Sequence, residues 1–310
     1  MRQILDIQSA KVAVELTNRC NLRCAKCPMG HLKRAQADMA WDLVEKVAAD
    51  LQDNGIRVSW LHEMGEPLLY PRLAEAIELF PGASVSTNAI ILDEEYAREL
   101  LATSLGRIRL CLDTVNPRVY PHIRRGGIFE EVVGNIRRFL DLCLGHDIRV
   151  EIQRMITLRT AHERIEDFQD FLHLERYPQA CVVEKTCEGL DTSDATELHE
   201  SYYGCFQGYP FRWLIVLADG SVTHCCYDAH GQQVIGDMRT QSVREILAST
   251  TIDRYMASFK AKDWQTLPRC GECYRHATGG AMVMDHLIRL GHKVDRVLPV
   301  KQVARRIINR

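Results

Sequence analysis

Short apolar runs alternate with longer amphipathic stretches through the first 190 residues of the chain. That alternation is the pattern of repeated strand–helix units around a parallel sheet. Six strands are predicted, at Val12 to Leu16, Ile56 to Leu61, Ala83 to Ser86, Ile108 to Leu112, Ile148 to Ile156 and Cys181 to Glu184. Helical periodicity falls between them, over Trp41 to Leu51, Leu73 to Phe80, Glu94 to Leu101, Phe129 to Leu144 and Ile165 to Leu174. Side chains alternate across a strand, so Arg109, Cys111 and Asp113 share one face while Ile108, Leu110 and Leu112 share the other, free to pack on helices. By the same rule Glu151 and Gln153 share a face, and polar groups there are tolerable only beside ligand or water.

After a more polar stretch, Cys187 to Ser201, the period changes: Phe211 to Leu217 and Ser221 to Cys226 flank Ala218-Asp219-Gly220. Asp-Gly between β-rich runs is a hairpin signal. The expected organisation is an α/β core over residues 1–195, a smaller unit with a β-hairpin and helix over 196–280, and a basic C-terminal tail over 281–310.

The 310 residues are 46% hydrophobic and 26% charged, enough for a sizeable core, and the net charge of −2 offers no overall basic field for nucleic acid. The start carries no signal-like apolar stretch, and no apolar run reaches the roughly 18 residues of a membrane span, so the expectation is a cytoplasmic protein without a membrane partner. Twelve cysteines in a reducing compartment point to metal ligands or catalytic groups rather than disulfides.

Three of them, Cys20, Cys24 and Cys27, follow the first strand on the loop at its carboxyl end, where α/β sheets carry their chemistry. Three thiolates are one short of the four that usually enclose a [4Fe–4S] cluster, leaving one iron open; completed by His31, the same triplet could instead hold structural zinc. Cys205, Cys225, Cys270 and Cys273 form a second set, sufficient for a closed site of either metal, with Cys226 an alternative to Cys225. Cys111, Cys143, Cys181 and Cys187 stand outside both sets.

The stretch Thr17-Asn18-Arg19-Cys20-Asn21-Leu22-Arg23-Cys24 closely resembles the radical S-adenosylmethionine (SAM) superfamily. Gly65-Glu66-Pro67 resembles that family's element for the methionyl amino group, and Thr87-Asn88-Ala89 its Thr-Asn-Gly element. Arg107 to Asp113, followed by Ile123-Arg124, looks like its fourth strand, with Cys111 where serine is common. The segment from Gly220 through Cys225-Cys226 to Asp228, then Ile235-Gly236-Asp237, resembles the SPASM extension or its shortened Twitch form. The long form's further cysteines are missing after Cys273, which implies one auxiliary cluster.

The resemblance implies a partial (β/α)6 TIM-like barrel followed by a small auxiliary iron–sulfur domain. It implies SAM, one [4Fe–4S] cluster on Cys20, Cys24 and Cys27 and a second on Cys205, Cys225, Cys270 and Cys273. Gly65, Glu66, Pro67, Thr87, Asn88 and Cys111 become candidate SAM contacts, Cys111 and Asp113 candidate catalytic groups, and Asp113, Glu151 and Gln153 candidate substrate contacts. The implied reaction is reductive cleavage of SAM and hydrogen abstraction from a polar small molecule, fed by a donor such as flavodoxin or ferredoxin. Relatives of similar size suggest dehydrogenation or epimerisation of a polyol or amino-sugar. A peptide maturase is a second possibility, lowered because the chain starts almost at its first strand, and a non-catalytic iron–sulfur or zinc protein a third.

Overall fold

The computed structural model describes residues 11–25, 27–157, 159–186 and 213–278, with side chains through Cys273. The predicted termini, Cys187 and Cys205 lie outside the described residues. Strand β1 (Lys11–Val14) is followed by α1 (Trp41–Asp53), α2 (Leu73–Leu79), β2 (Ser84–Thr87), α3 (Glu94–Leu101) and β3 (Arg107–Asp113). Then come α4 (Tyr120–Ile123), α5 (Phe129–Leu142), β4 (Arg149–Ile156), α6 (Ile165–Leu172) and β5 (Ala180–Thr186). The remaining elements are β6 (Trp213–Val216), β7 (Ser221–Thr223), β8 (Val234–Asp237), α7 (Val243–Leu247), α8 (Thr250–Ala261) and α9 (Pro268–Thr278).

Strands β2, β3, β4 and β5 pair in parallel in that order, and β1 pairs in parallel with β6, which continues antiparallel into β7 and β8. The predicted strand at Ile56 to Leu61 sits between β1 and β2 but forms only single bridges there, Trp60 to Ala13 and Trp60 to Ser84. Its ladder is interrupted because Ser59 N and Trp60 N both donate to Val12 O, at 2.7 and 3.3 Å. The parallel array of a partial (β/α)6 arrangement is therefore complete, with one irregular member.

Alternation settles the two faces. Val12, Val14, Val85, Ile108, Leu110, Leu112, Val150 and Ile152 are buried in one core with the helices. Helix α5 contributes Val132, Val133, Ile136, Phe139 and Leu140 at the three-and-four spacing of a buried stripe. Helix α6 stops at Leu172, two residues before the sequence periodicity does, because His173 turns left-handed at φ 53°. The hairpin turn has Gly220 at φ 87°, as Asp-Gly demands. Among the described residues no helix is long and apolar enough to cross a membrane.

One buried charge ties the end of β1 to three separate loops. Glu15, just past β1 and fully buried, accepts Arg34 on both oxygens at 2.6 and 2.8 Å, Met64 N at 3.1 Å and Ala218 N at 3.0 Å. Arg34 Nε also donates to Ala229 O at 2.8 Å. Removing one partner of a buried pair strands the other charge. Replacing Arg34 with Met should cost about 3–5 kcal/mol in the denaturation midpoint analysis; a loss under about 1 kcal/mol would show the pair to be dispensable.

Candidate functional site

The loops after the irregular segment, β2 and β3 are each tied to the cysteine loop. Cys20, Cys24 and Cys27 are half-buried, and Cys27 N donates to Cys24 O at 3.2 Å. Arg23 N and Ala25 N donate to Arg125 O and Ile123 O, at 3.0 and 2.9 Å, seating the loop on the end of α4. Gly65 approaches so closely that an added Cβ would lie 2.6 Å from Thr17 O and 2.7 Å from Arg19 O, and its φ of 86° also favours glycine.

Glu66 N donates to Arg19 O at 2.8 Å, while its buried carboxylate accepts Leu68 N at 3.1 Å and Asn88 N at 2.7 Å. Burial pushes the Glu66 carboxyl up, opposed by those N–H donors. Asn88 Nδ2 donates to Asn21 Oδ1 at 2.8 Å, and Ala89 N to Thr87 Oγ1 at 3.0 Å. The Glu66 side chain thus ties the second loop to the third.

A polar relay crosses to the triplet from the opposite side. Gln153 Nε2 donates to Asp113 Oδ1 at 2.8 Å, Arg124 Nε to Asp113 Oδ2 at 2.6 Å, and Arg124 Nη1 lies 3.8 Å from Cys24 Sγ. Asp113 sits at φ 68°, where the β3–β4 register shifts, and its carboxylate meets Arg124. Cys111 is buried, its Sγ 3.3 Å from Ser86 Oγ.

Burial pushes the Cys20 thiol up to about 11 and also raises Cys24, against which Arg124 acts. A thiolate there needs a cation beside it, and soft sulfur donors suit an iron–sulfur cluster. Three cysteines on one loop, with the Arg124 guanidinium beside Cys24, fit such a group. Among the described residues no three His, Cys, Asp or Glu side chains close around a single metal ion.

Lower on the inner face Arg109 donates to Glu151 Oε2 at 2.7 Å, with Arg149 at 3.3 Å and Arg107 at 3.8 Å from Oε1. Arg107 and Arg109 stack on Trp60, 4.6 and 4.5 Å from its ring. Burial brings the His62 imidazole down to about 3, with Lys185 and Arg109 adding to the effect, so it faces them uncharged. Trp60 also packs with Ala13, Ile215, Leu217, Trp213 and Cys226, an apolar patch where β1 and β6 meet.

Cys225 and Cys273 share a small cluster with Tyr227, and Cys226 packs against both it and the inner face. Burial pushes the Cys273 thiol up to about 12, offset by Arg269 and reinforced by Cys225 and Cys270. Three of the four predicted auxiliary cysteines are therefore brought together, and the fourth, Cys205, lies outside the described residues.

Residues 14–172 match the model of the radical SAM superfamily, half of the chain, and residues 205–274 that of the SPASM iron–sulfur cluster-binding domain. The chain belongs to the radical SAM superfamily. Its cofactors are SAM and a [4Fe–4S] cluster, with auxiliary iron–sulfur binding in the SPASM segment. The GTP 3′,8-cyclase of Peptoclostridium acidaminophilum is 36% identical over 136 residues, 40% of each chain. The chain spans about half the length of the curated relatives it matches. BtrN in complex with AdoMet and 2-DOIA superposes at TM-score 0.50 and 17% identity, covering 81% of this chain and 87% of that one. Streptococcus suis SuiB bound to precursor peptide SuiA gives 0.59 and 16%, covering 80% and 66%. At these identities the likeness is one of fold.

Glu15, Arg34, Trp60 and His62 escaped the sequence analysis. A charge inside the run Val12-Ala13-Val14-Glu15-Leu16 was the available signal for the first, because a buried carboxylate requires a partner. For the radical SAM enzyme, Cys20→Ala, Cys24→Ala and Cys27→Ala combined should abolish 5′-deoxyadenosine formation and roughly halve the iron bound after reconstitution, since a [4Fe–4S] cluster needs its thiolates. Chromatographic detection of unreduced cleavage in that variant would remove the triplet from the site.

Proposed function

We propose that this chain cleaves SAM reductively and takes a hydrogen atom from an anionic small molecule held on the inner face of the parallel array. The observation that carries this is the charge of that face: Arg107, Arg109 and Arg149 gather around the single carboxylate of Glu151, and Lys185 lies in range of His62 and Glu63. Such surplus attracts phosphate or carboxylate and repels an ammonium. It therefore favours an anionic substrate, as in the GTP named for the curated relative, over the neutral polyol or cationic amino-sugar that the sequence resemblance suggests.

The chemistry supplied when cluster and SAM are bound is one-electron cleavage to methionine and a 5′-deoxyadenosyl radical. In this reading Cys20, Cys24 and Cys27 hold the cluster with one iron open, and the loops at Gly65–Pro67 and Thr87–Asn88, with Cys111, flank SAM. Gln153 fixes Asp113 and Asp113 fixes Arg124, so the guanidinium stays beside Cys24 and balances thiolate charge. Arg109, immobilised between Glu151 and Trp60, presents a preorganised cation to substrate. Cys225, Cys270 and Cys273, with Cys205, hold the auxiliary cluster, and a flavodoxin or ferredoxin donates the electron.

The proposal is tested by 5′-deoxyadenosine release from reconstituted enzyme with SAM, reductant and either nucleoside phosphates, aminocyclitols or peptides. An anionic compound should stimulate release, and Arg109→Gln should raise its KM roughly 10-fold or more, as loss of a charge-assisted hydrogen bond does. Stimulation only by a cationic sugar or a peptide would overturn the assignment.

Dehydrogenation and epimerisation differ at Cys111, because a thiol can return a hydrogen atom to a substrate radical, the resulting thiyl being restored by one electron from the reductant and a solvent proton, and a hydroxyl cannot. If the product is an epimer, Cys111→Ser should stall turnover and remove solvent deuterium from the product in deuterated water. Unchanged rate and no deuterium in the wild-type product would leave Cys111 as a packing residue beside Ser86.

A further inference from the structure

Gln233, between the turn after β7 and strand β8, is fully buried in the SPASM segment, and every polar atom of its side chain is directed at one place. Oε1 accepts two main-chain N–H groups from the first turn of α9, Arg269 N at 2.9 Å and Cys270 N at 3.2 Å. These are among the donors a helix leaves without intrahelical partners. Because Oε1 is fixed by two N–H donors, the amide cannot be flipped, and its nitrogen must face the other way. There it contacts Cys270 Sγ at 3.4 Å and His224 Nε2 at 3.0 Å. A buried glutamine is tolerated only when so satisfied, and here the partners are a candidate cluster ligand, its helix and the neighbour of Cys225.

We propose that Gln233 is the positioning residue of the auxiliary cluster: it holds Cys270 through the start of α9 and raises the cluster's reduction potential by donating an N–H to Cys270 Sγ. This rests on the reading that Cys270 is a ligand of that cluster. Hydrogen bonds to cluster sulfurs favour the reduced, more negative state, so their removal lowers the potential. Arg269 works alongside, fixed by Nε to Tyr227 O at 2.7 Å and Nη1 to Glu272 Oε2 at 2.7 Å, and lies near Cys273. Gln233 is the neutral, directional member of the pair, and its side-chain amide reaches the sulfur of Cys270, as the main-chain Tyr227 N reaches Cys225 Sγ at 3.4 Å.

The test uses the full chain carrying Cys20→Ala, Cys24→Ala and Cys27→Ala, so that only the auxiliary cluster reports. Cys270→Ala in this background should abolish the reduced-cluster paramagnetic signal; if the signal persists unaltered, the ligand assignment is at fault rather than the role of Gln233. With Cys270 intact, Gln233→Met should shift the midpoint of a paramagnetic-resonance redox titration to more negative potential, while the loaded fraction keeps its cluster type. An unchanged midpoint would overturn the proposal. Should Gln233→Met fail to load iron, pulsed resonance on Gln233-containing protein labelled with 15N in glutamine side chains decides. A weak 15N coupling to the reduced cluster is expected, and its absence would overturn the proposal.

Discussion

The geometry of the whole site depends on the buried carboxylate of Glu15. It stands where β1 ends and the cysteine loop begins, and through Arg34, Met64 N and Ala218 N it fixes the return of that loop, the approach to Gly65 and the turn of the β6–β7 hairpin. Buried ion pairs add little net stability over apolar packing of the same volume, yet their geometry is exacting. The placement is therefore best understood as a constraint on register: an apolar residue at position 15 could bury itself without specifying where three separate segments must meet.

From that point the ties run outward in a ring. Arg34 reaches Ala229 and so anchors the loop that follows Cys225 and Cys226. Gly65 lies against Thr17 and Arg19, Glu66 binds the Asn88 loop, and Asn88 returns to Asn21. Asp113 and Arg124 close the circuit at Cys24. The triplet is thereby held by main-chain and buried polar contacts on several sides, as a site must be if a reactive group is to be kept from competing donors.

Much of this was legible in the sequence, and the parts that were not share a cause. Strand alternation alone placed Ile108, Leu110 and Leu112 in the core and Arg109 and Cys111 on the opposite face, because that period is fixed by backbone geometry. The cysteine spacing was legible locally, and the elements around Glu66, Asn88 and Asp113 through their resemblance to the radical SAM superfamily. Arg34 and Ala229, or Gln233 and Cys270, meet only in three dimensions, and neither residue type signals its partner from a distance along the chain. The segment at Trp60 was read as a regular strand because its apolar pattern is one; the doubled donation to Val12 O that breaks its ladder leaves no compositional mark.

Electron paramagnetic resonance of the anaerobically reconstituted, reduced wild-type chain, recorded before and after addition of SAM, tests the central claim most directly. An open iron on the Cys20, Cys24 and Cys27 cluster predicts that one component of the reduced signal changes on SAM addition while the auxiliary component stays as it was. A reduced signal wholly indifferent to SAM would contradict the account.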